Sequence, residues 1–192
     1  MTPVTATLPR TQHQLAALLT SGFDALDARL ARAVDDATGA RFTTLRADGG
    51  WSVAQVLEHL CRANEAYLRT MRPLVTTAAS ARVTGDTPWR PTFLGKQLAR
   101  SLERTMRLPA PGRSRPGPTP GPDVFRQLLA SRVELRALLD AAAGLEWQQL
   151  RMASPLAKWV KLNFGDAAYV MLRHGERHAG QIERTLASLP RS

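Results

Sequence analysis

Four histidines, His13, His59, His174 and His178, stand in a chain of 192 residues beside a single cysteine, Cys61. His174 and His178 are four apart in MLRHGERHAGQIER, so on a helix both rings leave the same face about one turn apart. Neutral imidazole is a ligand for zinc, nickel, iron or copper, and two on successive turns are partly preorganised for one ion. The same spacing also suits two core histidines hydrogen-bonded to their neighbours, or a partly exposed pair. His59 lies in GGWSVAQVLEHLCRANEAY, with Val56, Ala63 and Ala66 at helical spacing around it. Two alanines beside a histidine leave room for an ion and something bound to it, where a packed core would carry larger side chains. His13 precedes the first apolar stripe and reads as a surface residue.

Spacing and composition remove several chemistries. An HExxH site needs Glu directly after the first His, whereas Gly175 follows His174 and Glu176 is turned roughly 200° around a helix of 3.6 residues per turn. The HxE of His174, Gly175 and Glu176 lacks the cysteine half of a zinc deaminase. One cysteine also rules out an internal disulfide and a zinc site built from paired cysteines. Cys61 is two residues from His59, on a different side of the helix, and reads as packing. Trp51 and Tyr67 read as core or helix-edge aromatics. Glu58 adjoins His59 and points about 100° away from it. Glu65 and Asp166 are the remaining candidates for a general base, with nothing in the spacing to favour either. Gln181 is a candidate to support a ligand from behind, or simply a polar helix residue.

These residues need helices to hold them. From Thr11 to Ala37, Leu15, Leu18, Leu19, Phe23, Leu26, Leu30 and Val34 recur at steps of three and four, which predicts an amphipathic helix. A turn-prone stretch through Gly39, Asp48, Gly49 and Gly50 follows it. Ser52 with Gln55 forms a capping-box signature for a second helix through Val53, Val56, Leu57, Leu60, Tyr67, Leu68 and Met71, with Pro73 as a kink or the start of its end. A short helix is expected from about Thr92 to Arg107. PAPGRSRPGPTPGP, from Pro109 to Pro122, is expected to be an extended or mobile loop. Val124, Leu128, Leu129, Val133, Leu135, Leu138 and Leu139 predict a third long helix ending near Gly144. The fourth opens near Gly165 or Asp166, where Asp could cap, and carries Ala167, Val170, Met171, Ile182, Leu186 and Leu189. No alternating strand pattern is evident. The expectation is one all-α domain over 1–192, a four-helix bundle whose second and third core helices are joined by a long, partly helical, basic and proline-rich crossover at 83–122.

The formal charge of +10, 26 Lys and Arg against 16 Asp and Glu, comes mainly from arginine. Lys96, Arg100 and Arg104 follow at four-residue steps and Arg107 is three further on, a stripe that could lie along nucleic acid or another polyanion. The competing reading is a solvated helix face. Hydrophobic residues at 44% and charged residues at 22% match a folded globular chain. No apolar stretch is long enough to span a bilayer, and MTPVTATLPR does not read as a secretory signal, so a soluble cytoplasmic protein is expected.

GGWSVAQVLEHLCRANEAY and SPLAKWVKLNFGDAAYVMLRHGERHAGQIER, in that order and at that separation, resemble the DinB/YfiT-like metal-binding four-helix bundles. The resemblance implies one divalent ion, zinc, nickel or iron, held by His59, His174 and His178, with the remaining positions open to water or substrate. It also implies a homodimer and a small-molecule substrate. Relatives of this kind transfer or isomerise substrates with low-molecular-weight thiols such as bacillithiol or mycothiol, and others are named hydrolases. Ala179 departs from the pattern, since another histidine often stands there, and so does the basic crossover. The lack of an evident base favours thiol transfer over hydrolysis. Two alternatives keep the fold without that activity: a non-catalytic module binding polyanions through the crossover, and a bundle in which the metal only stabilises.

Overall fold

The computed structural model describes residues 9–78, 86–103 and 112–190. Five helices carry the fold: α1 (Gln12–Asp36), α2 (Val53–Ala78), α3 (Phe93–Leu102), α4 (Val124–Ala141) and α5 (Phe164–Ala187). A two-stranded antiparallel hairpin, β1 (Arg151–Ala153) and β2 (Lys161–Asn163), leads into α5. The protein is therefore an all-α bundle with one small hairpin.

The helix ends follow from local chemistry. Thr11 caps α1, its side chain accepting the Gln14 N–H, and Ala37 closes the other end. At the start of α2, Ser52 accepts the Gln55 N–H while Gln55 accepts the Ser52 N–H, the expected reciprocal box. Pro73 lies inside α2 and the helix continues to Ala78. The expected cap of α5 needs correction. Asn163 is the N-cap and Asp166 is the third helical residue, each accepting the other's backbone N–H in a second capping box. Asp166 also accepts from the backbone N–H and the hydroxyl of Thr92, the N-cap of α3, so one buried carboxylate fixes the origins of two helices.

Side-chain pairings give the directions. Leu15 meets Gly165, Leu172 meets Gly22 and Leu26 meets Gly175, so α1 and α5 run parallel. Cys61 reaches the Val124 carbonyl, Asn64 bonds Ser131 and Arg72 pairs with Glu134, so α2 and α4 are parallel too. His59 faces His174 and His178, whereas Tyr67, farther along α2, bonds Ser154 just ahead of α5, so these two are antiparallel. The four core helices thus run up, down, down, up. Two successive parallel helices require a return path along the bundle. α3 provides it, climbing beside α5 from Asp166 to Arg173, which Glu103 pairs.

Three expectations shift. α3 ends at Leu102 rather than near Arg107, and Arg104 and Arg107 lie outside the described residues. The second half of the proline-rich segment is tied to α2: a 3-10 turn at Gly112–Ser114 buries Ser114, Gly117 donates to Glu58, and Arg62 donates to the Arg115 carbonyl. Polar side chains of α2 thereby satisfy backbone groups that proline-rich sequence cannot pair with itself. On α4, Val124, Leu128, Leu135 and Leu139 are buried as expected, and the stripe departs at one position. Val133 is 67% exposed and Arg132 is 1% exposed, between Leu128 and Leu135 on the inward face.

Candidate metal centre

His59 comes from the second turn of α2, and His174 and His178 from consecutive turns of α5. The antiparallel pairing of these helices turns all three rings toward one point. His59 Nε2 and His178 Nε2 each lie 3.1 Å from His174 Nε2, and the three nitrogens fall within 4.8 Å of one another. Nitrogens about 2.0–2.1 Å from one ion, at tetrahedral to octahedral angles, stand roughly 3.0–3.4 Å apart, so these separations fit a shared ion.

The hydrogen bonds at the far side of each ring decide what the inner nitrogens are. His59 Nδ1 donates to the carbonyl of buried Ser114 at 2.7 Å, and His178 Nδ1 donates to Gln181 Oε1 at 2.8 Å. With the proton on Nδ1, the Nε2 of each neutral ring carries a lone pair directed inward. A single Nε2 proton on His174 could satisfy only one of them. The cluster therefore has more acceptors than donors at its centre, the donor balance of a cation site.

Burial enforces the neutral state. His59 and His178 are 3% and 7% exposed, and His174 is half-buried. Desolvation pushes His59 below its usual value, although the Ser114 carbonyl opposes the shift. His178 falls to about 3, through desolvation first and then the neighbouring His59. His174 lies well below the usual value for the same reason, with His178, His59 and the Arg132 guanidinium adding to the effect. Three imidazoles this close cannot all be cations.

The other residues singled out from sequence fall in different places. Gln181 is beside His178, its Oε1 accepting from Nδ1. Trp51 stacks obliquely on His59, with ring centres 5.0 Å apart. Tyr67 is core. Cys61 donates to the Val124 carbonyl, and burial raises its thiol to about 11. His13 is exposed. Each candidate base is engaged elsewhere: Glu58 with Arg62 and Gly117, Glu65 with Arg69 and Arg72, Glu176 with Arg173, and Asp166 at the helix origins. Lys96 and Arg100 lie on α3, half-buried and exposed.

Two participants were not anticipated. Ser114 acts through its backbone carbonyl, which no residue type announces. Arg132 had a signal, since it stands four after Leu128 and three before Leu135, within the apolar register of α4. Its guanidinium lies 4.7 Å over the Phe23 ring and beside Gly175, the residue after His174. A Cβ on Gly175 would come within 2.9 Å of Arg132 Nη2 and 2.4 Å of Leu26, so glycine is what permits this approach.

No curated protein and no solved structure matches the chain. The family model of the DinB superfamily matches residues 22–182, a span that begins in α1 and holds all three clustered histidines. With the helical bundle and the inward-facing triad, that match means the chain belongs to the DinB superfamily.

Proposed function

We propose that this protein binds one divalent ion through the Nε2 atoms of His59, His174 and His178 and uses it to transfer a low-molecular-weight thiol to a small electrophile. The observation that carries the metal assignment is the convergence of three Nε2 atoms, two of them fixed as lone-pair donors by Ser114 and Gln181. Zinc, nickel and iron all accept neutral nitrogen ligands, and three protein ligands leave a position for a reacting group. An ion held there supplies Lewis acidity, which favours thiolate over thiol near neutral pH.

The chain's own residues orient the ligands. Ser114 and Gln181 fix the ring tautomers, and Trp51 covers one side of His59. Thiol transfer fits better than hydrolysis because Glu58, Glu65, Asp166 and Glu176 are all committed to other partners. A hydrolase would need such a group to take a proton from water.

The test is elemental analysis of untagged protein purified without chelator, beside a His59→Ala, His174→Ala double variant whose helicity is checked. About one equivalent of metal is expected in the parent and less than about a tenth in the folded variant. A parent that neither carries metal nor takes it up on reconstitution overturns the assignment. With the loaded protein, metal-dependent consumption of free thiol in the presence of an electrophile supports transfer, and ester cleavage without thiol supports a hydrolase instead.

A further inference from the structure

A charged group is buried beneath the histidines for which packing alone gives no reason. Arg132 occupies an inward position of α4 that its neighbours Leu128, Leu135 and Leu139 fill with aliphatic side chains. Burying a guanidinium without full pairing is costly. Here the pairing is incomplete. Among the described residues the carboxylate beside it is Asp27, whose Oδ1 lies 3.5 Å from Nε, too far for a hydrogen bond. Among the described residues Nε, Nη1 and Nη2 of Arg132 and Oδ1 of Asp27 have no hydrogen-bond partner, while Asp27 Oδ2 is taken by Arg136. One carboxylate is therefore shared by two arginines.

The position of this cation relative to the triad is set by Gly175. Arg132 packs against that glycine, the residue after His174, with the Phe23 ring also against its guanidinium. Burial lowers the Arg132 pKa to about 10, so the group remains charged at neutral pH. Nearby Asp24 pairs with Arg136 and adds no contact to Arg132. The interior next to the histidines thus holds, before any ion is added, a buried cation that makes no hydrogen bond among the described residues and shares its carboxylate partner with Arg136. A divalent ion would add two more positive charges, and the neutral imidazoles neutralise none of them.

We propose that Arg132 makes this centre selective for anionic ligands, so that thiolates and carboxylates are favoured over neutral donors at the open metal positions. Arg132 is a positioning residue acting through its field, and the proposal rests on the metal assignment above. It narrows the co-substrate class to molecules that bind as anions.

The experiment uses cobalt(II)-loaded full-length protein, with azide as the anionic probe and imidazole as the neutral one, followed by visible absorption at constant ionic strength. Arg132→Met is expected to weaken azide about tenfold and to change imidazole by less than about twofold. Arg132→Lys retains the charge and should hold azide within about threefold of the parent. Asp27→Asn, which removes the partial compensation at a more exposed position, should tighten azide by about two- to threefold. If Arg132→Met does not fold, the tightening of azide expected of Asp27→Asn, without a matching change in imidazole, still decides. Unchanged azide affinity, parallel changes in azide and imidazole, or weaker azide binding in Asp27→Asn would overturn the proposal. A parent that takes up no cobalt overturns the metal assignment at the loading step, and this inference falls with it.

Discussion

The two halves of α5 are built to different rules. From Phe164 to Leu172 every residue is buried except Tyr169, because α1, α2, α3 and the hairpin enclose the helix on all sides. From Arg173 onward it presents a solvent side through Glu183 and Arg184 and an inner side through His174, His178 and Gln181. The first half holds the helix in place through Trp147 against Phe164, Trp89 against Asn163, and the Asp166 carboxylate across two helix origins. The second half tolerates buried polar groups because the first fixes its direction. A candidate site placed one or two turns beyond a closed anchor keeps its geometry without contributing to the core.

That contrast predicts separable losses. Phe164→Ala removes a fully buried ring from the anchor and should cost about 3–5 kcal/mol in urea unfolding of the metal-free protein. Replacing His174 by Ala in the second half should cost well under half of that in the same assay and abolish metal uptake. Equal destabilisation by the two substitutions would show that the triad is part of the core and would break the distinction.

Gln181→Ala sharpens it further. The side chain touches the candidate centre only through His178 Nδ1, and loss of that acceptor frees the ring to adopt the other tautomer. Metal affinity is expected to fall about 10- to 100-fold, read by competition with a chromogenic chelator, with little change in metal-free stability. A change in stability without a change in affinity would make Gln181 a structural residue of the helix end.

What the sequence disclosed follows the same division. Helix α1 was legible almost to its end residues because a long apolar stripe and a threonine cap agree. The α2 capping box was legible for a similar reason. At α5 the cap was placed three residues late: Asn163 and Asp166 are both good caps, and only the backbone shows which lies outside the helix. The hairpin escaped notice because strands of three residues are too short to show alternation. The three histidines could be found from type and spacing. Ser114 could not, since a carbonyl has no sequence signature, and Arg132 was hidden by taking Val133 for the inward residue.

A further effect is expected in the pH dependence of the metal-free protein, and its sign distinguishes the halves again. His178 titrates near 3 when folded and near 6.5 when unfolded, and His59 and His174 are displaced in the same direction. Between those values the unfolded chain binds more protons, so stability rises with pH and levels off above about 6.5. In the anchor, burial raises Asp166 despite its hydrogen bonds, so the folded state there binds more protons and stability falls as pH rises through the carboxylate range. Between pH 5 and 6.5 the triad drives stability up with pH, opposite in sign to the contribution of Asp166. Each histidine contributes a slope of at most about 1.4 kcal/mol per pH unit there. Urea unfolding of chelator-treated protein at pH 5, 6 and 7 should show the parent losing stability on acidification and His178→Gln losing less. A parent whose slope between pH 5 and 6.5 is no steeper than that of His178→Gln would mean that the triad is accessible to protons while folded, contrary to its burial between α2 and α5.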